Sequence, residues 1–299
     1  MIKILVTGAG GLLGRKLASQ HRNDVRIFAT VRTSSPVSQA PFEQLDVTDA
    51  RQVEALIERI RPDWVIHAAA LTDVDRCEVE RELAWRVNVA GTENVVRACE
   101  KWGIGLVGLS TDYVFDGAAG PYAETDPTNP LSYYGLTKRE GEKSVLAMKS
   151  PAGVVRTLVL FGCAPSVREN FVTWLIRSLR QGKPVRVVTD QWGTPTFADD
   201  LADFLIDFCR KNRSGLFHFA GADLLSRYDM AIKTCKVFGL DERLVTPIST
   251  GDLGQIAPRP LRSGLKTDKI RQMCQVHPRS FEDSLNILSE QTGGLRAQI

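Results

Sequence analysis

Residues 1–14, MIKILVTGAGGLLG, decide the fold. Lys3 to Thr7 is a short apolar run that reads as a buried strand, and Leu12 to His21 carries the apolar spacing of a helix. Between them Gly8, Gly11 and Gly14 fall in a GxxGxxG spacing. Three glycines so placed have three tasks: a sharp turn, close approach of backbone to a pyrophosphate, and close packing of helix on sheet. The helix start adds free N–H groups and a positive dipole end. Any tight strand-to-helix turn uses glycine, so the triplet alone says little. Its place directly after a first strand and before an amphipathic helix points to a dinucleotide, held by Gly8, Gly10, Gly11, Leu12, Leu13 and Gly14.

Outward from this turn the same rhythm repeats. Val25 to Val31, Trp64 to Ala68, Gly105 to Ser110 and Gly153 to Phe161 read as further apolar strands. Ala50 to Arg59 and Glu82 to Trp102 read as the helices between them. Strands without alternation are those covered by helices on both faces, joined by right-handed crossovers. The expected fold class is therefore α/β, a Rossmann-type doubly wound parallel sheet. After Phe161 the pattern changes to a helix (Glu169 to Leu179), a short strand (Val185 to Val188), the turn-rich QWGTPT, a helix (Asp199 to Lys211) and a strand (Leu216 to Ala220). From Ser226 onward two or three helices are expected, interrupted by a loop from Pro258 to Gly264. This predicts residues 1–162 plus about 195–222 as the nucleotide-binding domain. A smaller, partly interleaved α/β substrate domain takes about 163–194 plus 223–299.

The 299 residues carry 43% hydrophobic and 24% charged side chains, the balance of a folded soluble chain. A net charge of +3 gives no footprint for nucleic acid or an anionic membrane. No apolar stretch reaches the length of a membrane span, and the N-terminal run leads straight into the glycine turn, unlike a signal peptide. The cysteines Cys77, Cys99, Cys163, Cys209, Cys235 and Cys274 are scattered and the histidines dispersed, so no metal is expected. Reduced thiols in a cytoplasm are the simplest reading.

Two further places carry chemistry. The second strand ends at Val31-Arg32-Thr33-Ser34, where an NAD site usually holds its ribose diol with a carboxylate. None stands between Val25 and Gln39, and Arg32 supplies a planar cation suited to a 2′-phosphate. NADP is therefore the expected cofactor, with NADPH preferred over NADH; the plain alternative is a solvated strand-end arginine. Tyr134-Gly-Leu-Thr-Lys138 is YxxxK at the start of a helical pattern, with phenol and ammonium on one face. A neighbouring ammonium is expected to lower the phenol pKa and make Tyr134 a proton donor near neutrality. Upstream, Ser110 or Thr111 ends a strand where a hydroxyl would meet the same carbonyl oxygen.

With these pieces in place the chain resembles the extended short-chain dehydrogenases, and within them the dTDP-4-dehydrorhamnose reductase family. The resemblance runs nearly the whole length: ILVTGAGGLLG, LDVTD, VIHAAALTDVDRCE, NVAGTENVVRAC, STDYVFDG, PYAETDPTNPLSYYGLTKREGE, VVRT, DQWGTPTFADDLA and RPLRSGLKTDK. STDYVFDG together with DQ-aromatic-G-x-PT is fairly specific to that family, whereas GxxGxxG and YxxxK report only the superfamily. It implies Thr111, Tyr134 and Lys138 as the catalytic trio, with Lys138 also holding the nicotinamide ribose. Asp46 and Val47 are implied beside the adenine, and Ala68, Ala69, Ala70 and Asn88 beside the cofactor. Thr72, Asp112, Tyr113 and Asn170 are implied in the substrate pocket. Trp192 has two open readings, a base-stacking surface or a packing anchor, and Arg259 is expected on the diphosphate. The implied reaction is hydride transfer to the C4 ketone of a nucleotide-linked 4-keto-6-deoxy sugar, and a homodimer is compatible with it.

The chain also departs from the family. Val159 stands about where a tryptophan is common near the sugar, which leaves sugar and nucleotide open. The acidic metal ligands many members carry near a subunit contact cannot be placed. Thr111-Asp112-Tyr113 lacks the Asp-Glu pair of a 4,6-dehydratase, and Arg32 replaces the carboxylate of an NAD-recycling epimerase. A non-enzymatic alternative is an NADP-binding regulatory subunit like that of methionine adenosyltransferase. His67 reads as a satisfied core histidine, and Asp199-Asp200 as a helix start.

Overall fold

The computed structural model describes residues 1–32 and 42–293. Thirteen strands are seen among the described residues. They are β1 (Ile2–Thr7), β2 (Val25–Val31), β3 (Phe42–Gln44), β4 (Trp64–His67), β5 (Gly105–Thr111), β6 (Ala152–Thr157), β7 (Leu160–Phe161), β8 (Val185–Val188), β9 (Trp192–Gly193), β10 (Thr196–Phe197), β11 (Gly215–His218), β12 (Leu225–Ser226) and β13 (Val245–Ile248). The helices are α1 (Leu12–Ala18), α2 (Ala50–Ile60), α3 (Val74–Val79), α4 (Arg81–Trp85), α5 (Gly91–Trp102), α6 (Tyr133–Leu146), α7 (Phe171–Arg180), α8 (Ala198–Arg210), α9 (Arg227–Phe238), α10 (Thr250–Leu253), α11 (Asp268–Cys274) and α12 (Phe281–Gln291).

Seven strands form one sheet in the order β11-β6-β5-β4-β1-β2-β3. Every pairing in it is parallel. The order reverses between β1 and β4, and ligands of such sheets bind beyond the strand ends at that crevice. The parallel ladder explains the continuous apolar runs: Ile4 and Val6 face α1, α8 and α11 through Leu13, Leu17, Leu201, Leu205 and Ile270. Leu5 and Val65 face α2, α5 and α6 through Val53, Val95 and Val145. No described helix is long and apolar enough to cross a membrane.

Beyond β6 the chain builds smaller pairings, β7 with β10, β9 with β12 and β8 with β13. Helices α7, α9 and α12 cover them, with Val172, Ile176, Met230 and Leu285 buried between. Three expectations are corrected. The run Gly153 to Phe161 is not one strand: it breaks after Thr157, where Val159 turns to φ +43, and β7 leaves the sheet to pair with β10. Glu82 to Trp102 is not one helix, because a five-residue π turn (Arg86–Ala90) separates α4 from α5. QWGTPT holds the strands β9 and part of β10 rather than only a turn.

Candidate active site

A cleft of about 490 Å³ opens at the carboxyl ends of β1, β4 and β5. The glycine turn forms one wall. Gly8 has φ +74, and a Cβ there would lie 2.6 Å from the Ala69 nitrogen, so only glycine lets this turn sit against the end of β4. A Cβ on Gly14 would lie 2.4 Å from Ala9 Cα, which fixes how closely α1 approaches β1. Gly10 and Gly11 are exposed at the cleft, next to Leu12 and Leu13. Ala68, Ala70 and Thr72 continue the lining from β4, with Ala69 packed behind Gly8.

The second wall is chemical. β5 ends in Ser110 and Thr111, and a short 3-10 turn then carries Asp112 and Tyr113. α6 starts on Ser132, whose Oγ accepts from the Gly135 N–H at 3.2 Å. A Cβ at Gly135 would lie 2.1 Å from the Tyr113 carbonyl oxygen, so glycine there lets α6 press onto the turn. The result places Tyr134 edge-on to Tyr113, ring centroids 5.7 Å apart, with its hydroxyl close enough to Thr111 to feel that hydroxyl. One turn later Lys138 lines the same cleft. Thr111, Asp112, Tyr113, Tyr134, Lys138 and Asn170 are thus brought to one space.

Burial dominates the electrostatics. The Tyr134 phenol is pushed well above the usual phenol range, first by burial and then by the Asp112 carboxylate, with the Thr111 hydrogen bond opposing. This corrects the expected acidic phenol: burial dominates, and the influence opposing it comes from Thr111. Lys138 is itself brought down to about 8 by burial, with Glu142 countering. Asp112 is raised by burial, although Ser263 and Thr111 hydroxyls donate to its oxygens at 2.6 and 3.0 Å.

Other expected residues stand elsewhere. Asn88 lies behind the cleft wall, where its side chain accepts from Leu71 N–H and donates to Leu71 O and Thr137 Oγ1. Asn170 lines the cleft, but its amide caps α7 and donates to the Gly162 carbonyl. Arg32 is exposed at the end of β2, close enough to act on the Asp46 carboxylate. Asp46 accepts from the Thr48 N–H and hydroxyl, and the Val47 carbonyl accepts from Asn94. Residues 33–39, read for a missing carboxylate, lie outside the described residues. Trp192 is 40% exposed on β9, outside the cleft lining. Arg259 pairs with Asp75 at 3.0 Å and donates to the Ala257 carbonyl. His67 is buried and neutral, bonded to Thr7 and Thr92 hydroxyls, and Asp199 and Asp200 open α8.

The sequence reading missed Arg227. Its guanidinium lies over Phe171, in the field of Tyr113, Asp112 and Arg259, and forms no salt bridge among the described residues. Burial lowers its pKa. No sequence signal marks a lone arginine at a helix start, whereas Val159 in the lining was legible.

A family model described as the RmlD substrate binding domain matches residues 2–292. The chain belongs to that family. Its RmlD relatives include the dTDP-4-dehydrorhamnose reductase of Aggregatibacter actinomycetemcomitans, 34% identical over 95% of this chain and 97% of that one. The dTDP-4-keto-6-deoxy-D-glucose reductase of Streptomyces niveus is 37% identical over 85% of this chain and 86% of that one. A solved structure of the Bacillus anthracis dTDP-4-dehydrorhamnose reductase in complex with NADP superposes with a TM-score of 0.88. It is 30% identical and covers 98% of this chain and 100% of that one. In this RmlD-family chain the glycine turn faces Thr111, Tyr134 and Lys138 across one space.

Proposed function

We propose that this chain reduces the C4 ketone of a nucleotide-linked 4-keto-6-deoxy sugar with NADPH, turning dTDP-4-dehydro-L-rhamnose into dTDP-L-rhamnose. The observation that carries the reading is the single cleft in which the glycine turn faces Thr111, Tyr134 and Lys138. The residues fit a dinucleotide. Gly10 and Gly11 leave exposed backbone for a pyrophosphate, small Ala68 and Ala70 leave room beside it, and Arg32, exposed at the end of β2, offers a cation suited to a 2′-phosphate. Bound there, NADPH supplies the hydride for C4.

The protein's own residues do the rest. Thr111 and Tyr134 meet the carbonyl oxygen and stabilise charge as it grows there. A phenol held protonated by burial keeps its proton until the oxygen becomes an alkoxide, a stronger base than phenolate, and then transfers it. Lys138, charged below about pH 8, orients the ribose and offsets the phenolate left behind. Arg227 and Arg259, half-buried and near each other, offer guanidinium groups suited to the diphosphate, Arg259 while paired with Asp75.

The test is NADPH oxidation with a panel of nucleotide-linked 4-keto-6-deoxy sugars. Wild type should oxidise NADPH with at least one of them. Tyr134→Phe should keep cofactor affinity and lose roughly a hundred- to ten-thousandfold in kcat. Tight NADP binding with no turnover on any sugar would mark a binding module instead.

A further inference from the structure

Behind the catalytic wall lies a separate chamber of about 10 Å³, bounded by His67, Thr92, Ser110, Lys138, Gly141 and Glu142. Leu109, Ser110 and Lys138 line both this chamber and the main cleft, so they form the partition between them. The volume is about one water molecule, and such a site needs two to four polar partners. The chamber offers them. The buried Ser110 Oγ has no hydrogen-bond partner among the described residues. Glu142 stands one helical turn beyond Lys138, fixed by Arg156, whose Nε and Nη2 donate to its two oxygens at 2.7 Å each. Each carboxylate oxygen keeps a second lone pair. His67 and Thr92 are already committed, His67 to Thr7 and Thr92 and the Thr92 hydroxyl to the Asn88 carbonyl.

We propose that this chamber holds one bound water shared by the Ser110 hydroxyl, the Lys138 ammonium and the Glu142 carboxylate, which makes Ser110 and Glu142 positioning residues for Lys138. An unsatisfied buried hydroxyl costs about 1–3 kcal/mol, which a bridging water relieves at little entropic cost. The same water carries the Glu142 charge toward the ammonium, the one favourable carboxylate influence on a lysine that burial otherwise drives toward neutrality. Other ionisable groups face Lys138 from each neighbouring element. Tyr134 shares α6 and Asp112, on the turn after β5, lines the same cleft; Cys77 lies on α3 with its thiol pushed up to about 11, and His67 on β4 is held neutral at about 3. Arg156 on β6 lies behind Glu142.

The inference rests on Lys138 as the lysine that holds the cofactor ribose. NADP affinity measured by calorimetry from pH 6 to 9.5 tests it in the whole protein. Wild-type affinity should fall as pH rises through about 8. In Glu142→Gln, which keeps the shape and a hydrogen bond to Arg156, the fall should begin at lower pH. For a shift of one pKa unit that variant should bind about threefold more weakly at pH 7.5 and about tenfold more weakly at pH 9, yet match wild type at pH 6. Ser110→Ala, which leaves the Glu142–Arg156 pair intact, should shift the fall in the same direction but less. A high-resolution structure should show a water peak in the chamber of wild type. An empty chamber, or both variants tracking wild type at every pH, overturns the proposal. A protein that binds NADP with these shifts yet reduces no keto sugar would fail as a reductase while the water stands.

Discussion

Arg32 stands at the end of β2, where its backbone carbonyl accepts from Gln44 at 3.1 Å and its guanidinium reaches the field of Asp46. Burial pushes the Asp46 carboxyl up, but the Thr48 hydrogen bonds and the charges of Arg32 and Arg86 hold it below its usual value. A carboxylate therefore stays ionised beside Arg32, and without a cation next to it the phosphorylated ribose proposed to bind there would meet net negative charge. Arg32 supplies that cation. Replacing it by alanine should remove a charge-assisted hydrogen bond worth about 1.5–3 kcal/mol. The ratio of kcat/KM for NADPH over NADH should then drop by at least about tenfold. Steady-state rates with both cofactors decide the matter, and an unchanged ratio would return Arg32 to the role of a solvated strand-end residue.

At the scale of elements, α6 matters most, because three functions sit on one of its faces: the phenol of Tyr134, the ammonium of Lys138 and the carboxylate of Glu142. Its N-terminus touches the turn after β5 through Gly135, where a Cβ would meet a backbone oxygen at 2.1 Å. Gly135→Ala must lift the helix or the turn, which should cost about 1–3 kcal/mol of stability. The same displacement should lower kcat by carrying Tyr134 away from Thr111. Gly251→Ala, whose Cβ would make only a 3.7 Å contact with the Ser249 hydroxyl, should do neither. Denaturant midpoints and turnover of the two variants are the check, and equal behaviour would break the link between this contact and the site. The face itself was legible, since YxxxK fixes two of the three groups by spacing alone, and so was the strand–glycine–helix turn. The break at Val159 was not, because a β-branched residue gives no signal for a left-handed backbone. The direction of the Tyr134 pKa was misread for a similar reason: spacing shows which charge stands near a phenol, not how much water is excluded around it. Arg227 escaped because only the fold brings α9 over Tyr113 and Arg259.

Across the whole molecule the central sheet holds two histidines neutral, His67 at the end of β4 and His218 at the end of β11. Burial brings both down to about 3, with Lys138 adding to the effect on His67 and Arg156 to that on His218. The hydrogen bonds agree with neutral rings. His67 lies between Thr7 and Thr92 hydroxyls, and His218 Nε2 faces the Arg156 guanidinium while Nδ1 faces the Tyr122 carbonyl. Folded-state values below the unfolded 6.5 mean that the unfolded chain binds more protons at any pH between them, so stability rises with pH across that window. Well above 6.5 both states are neutral and these groups contribute no slope. As pH falls below 6.5, unfolding takes up protons at both rings, approaching two per molecule, or about 2.7 kcal/mol lost per pH unit. Carboxylates held below their usual values, such as Asp75 and Glu78, add their own loss only at lower pH. Urea unfolding between pH 7 and 5 should therefore show stability falling with a slope that steepens from about half a proton at pH 7 to about two at pH 5. His67→Gln or His218→Gln should reduce the slope at pH 5 by about one proton each. A stability that stays flat from pH 6.5 to 5 would mean that the sheet already admits a charged imidazole, and with it enough water to undo the desolvation that sets Tyr134 and Lys138.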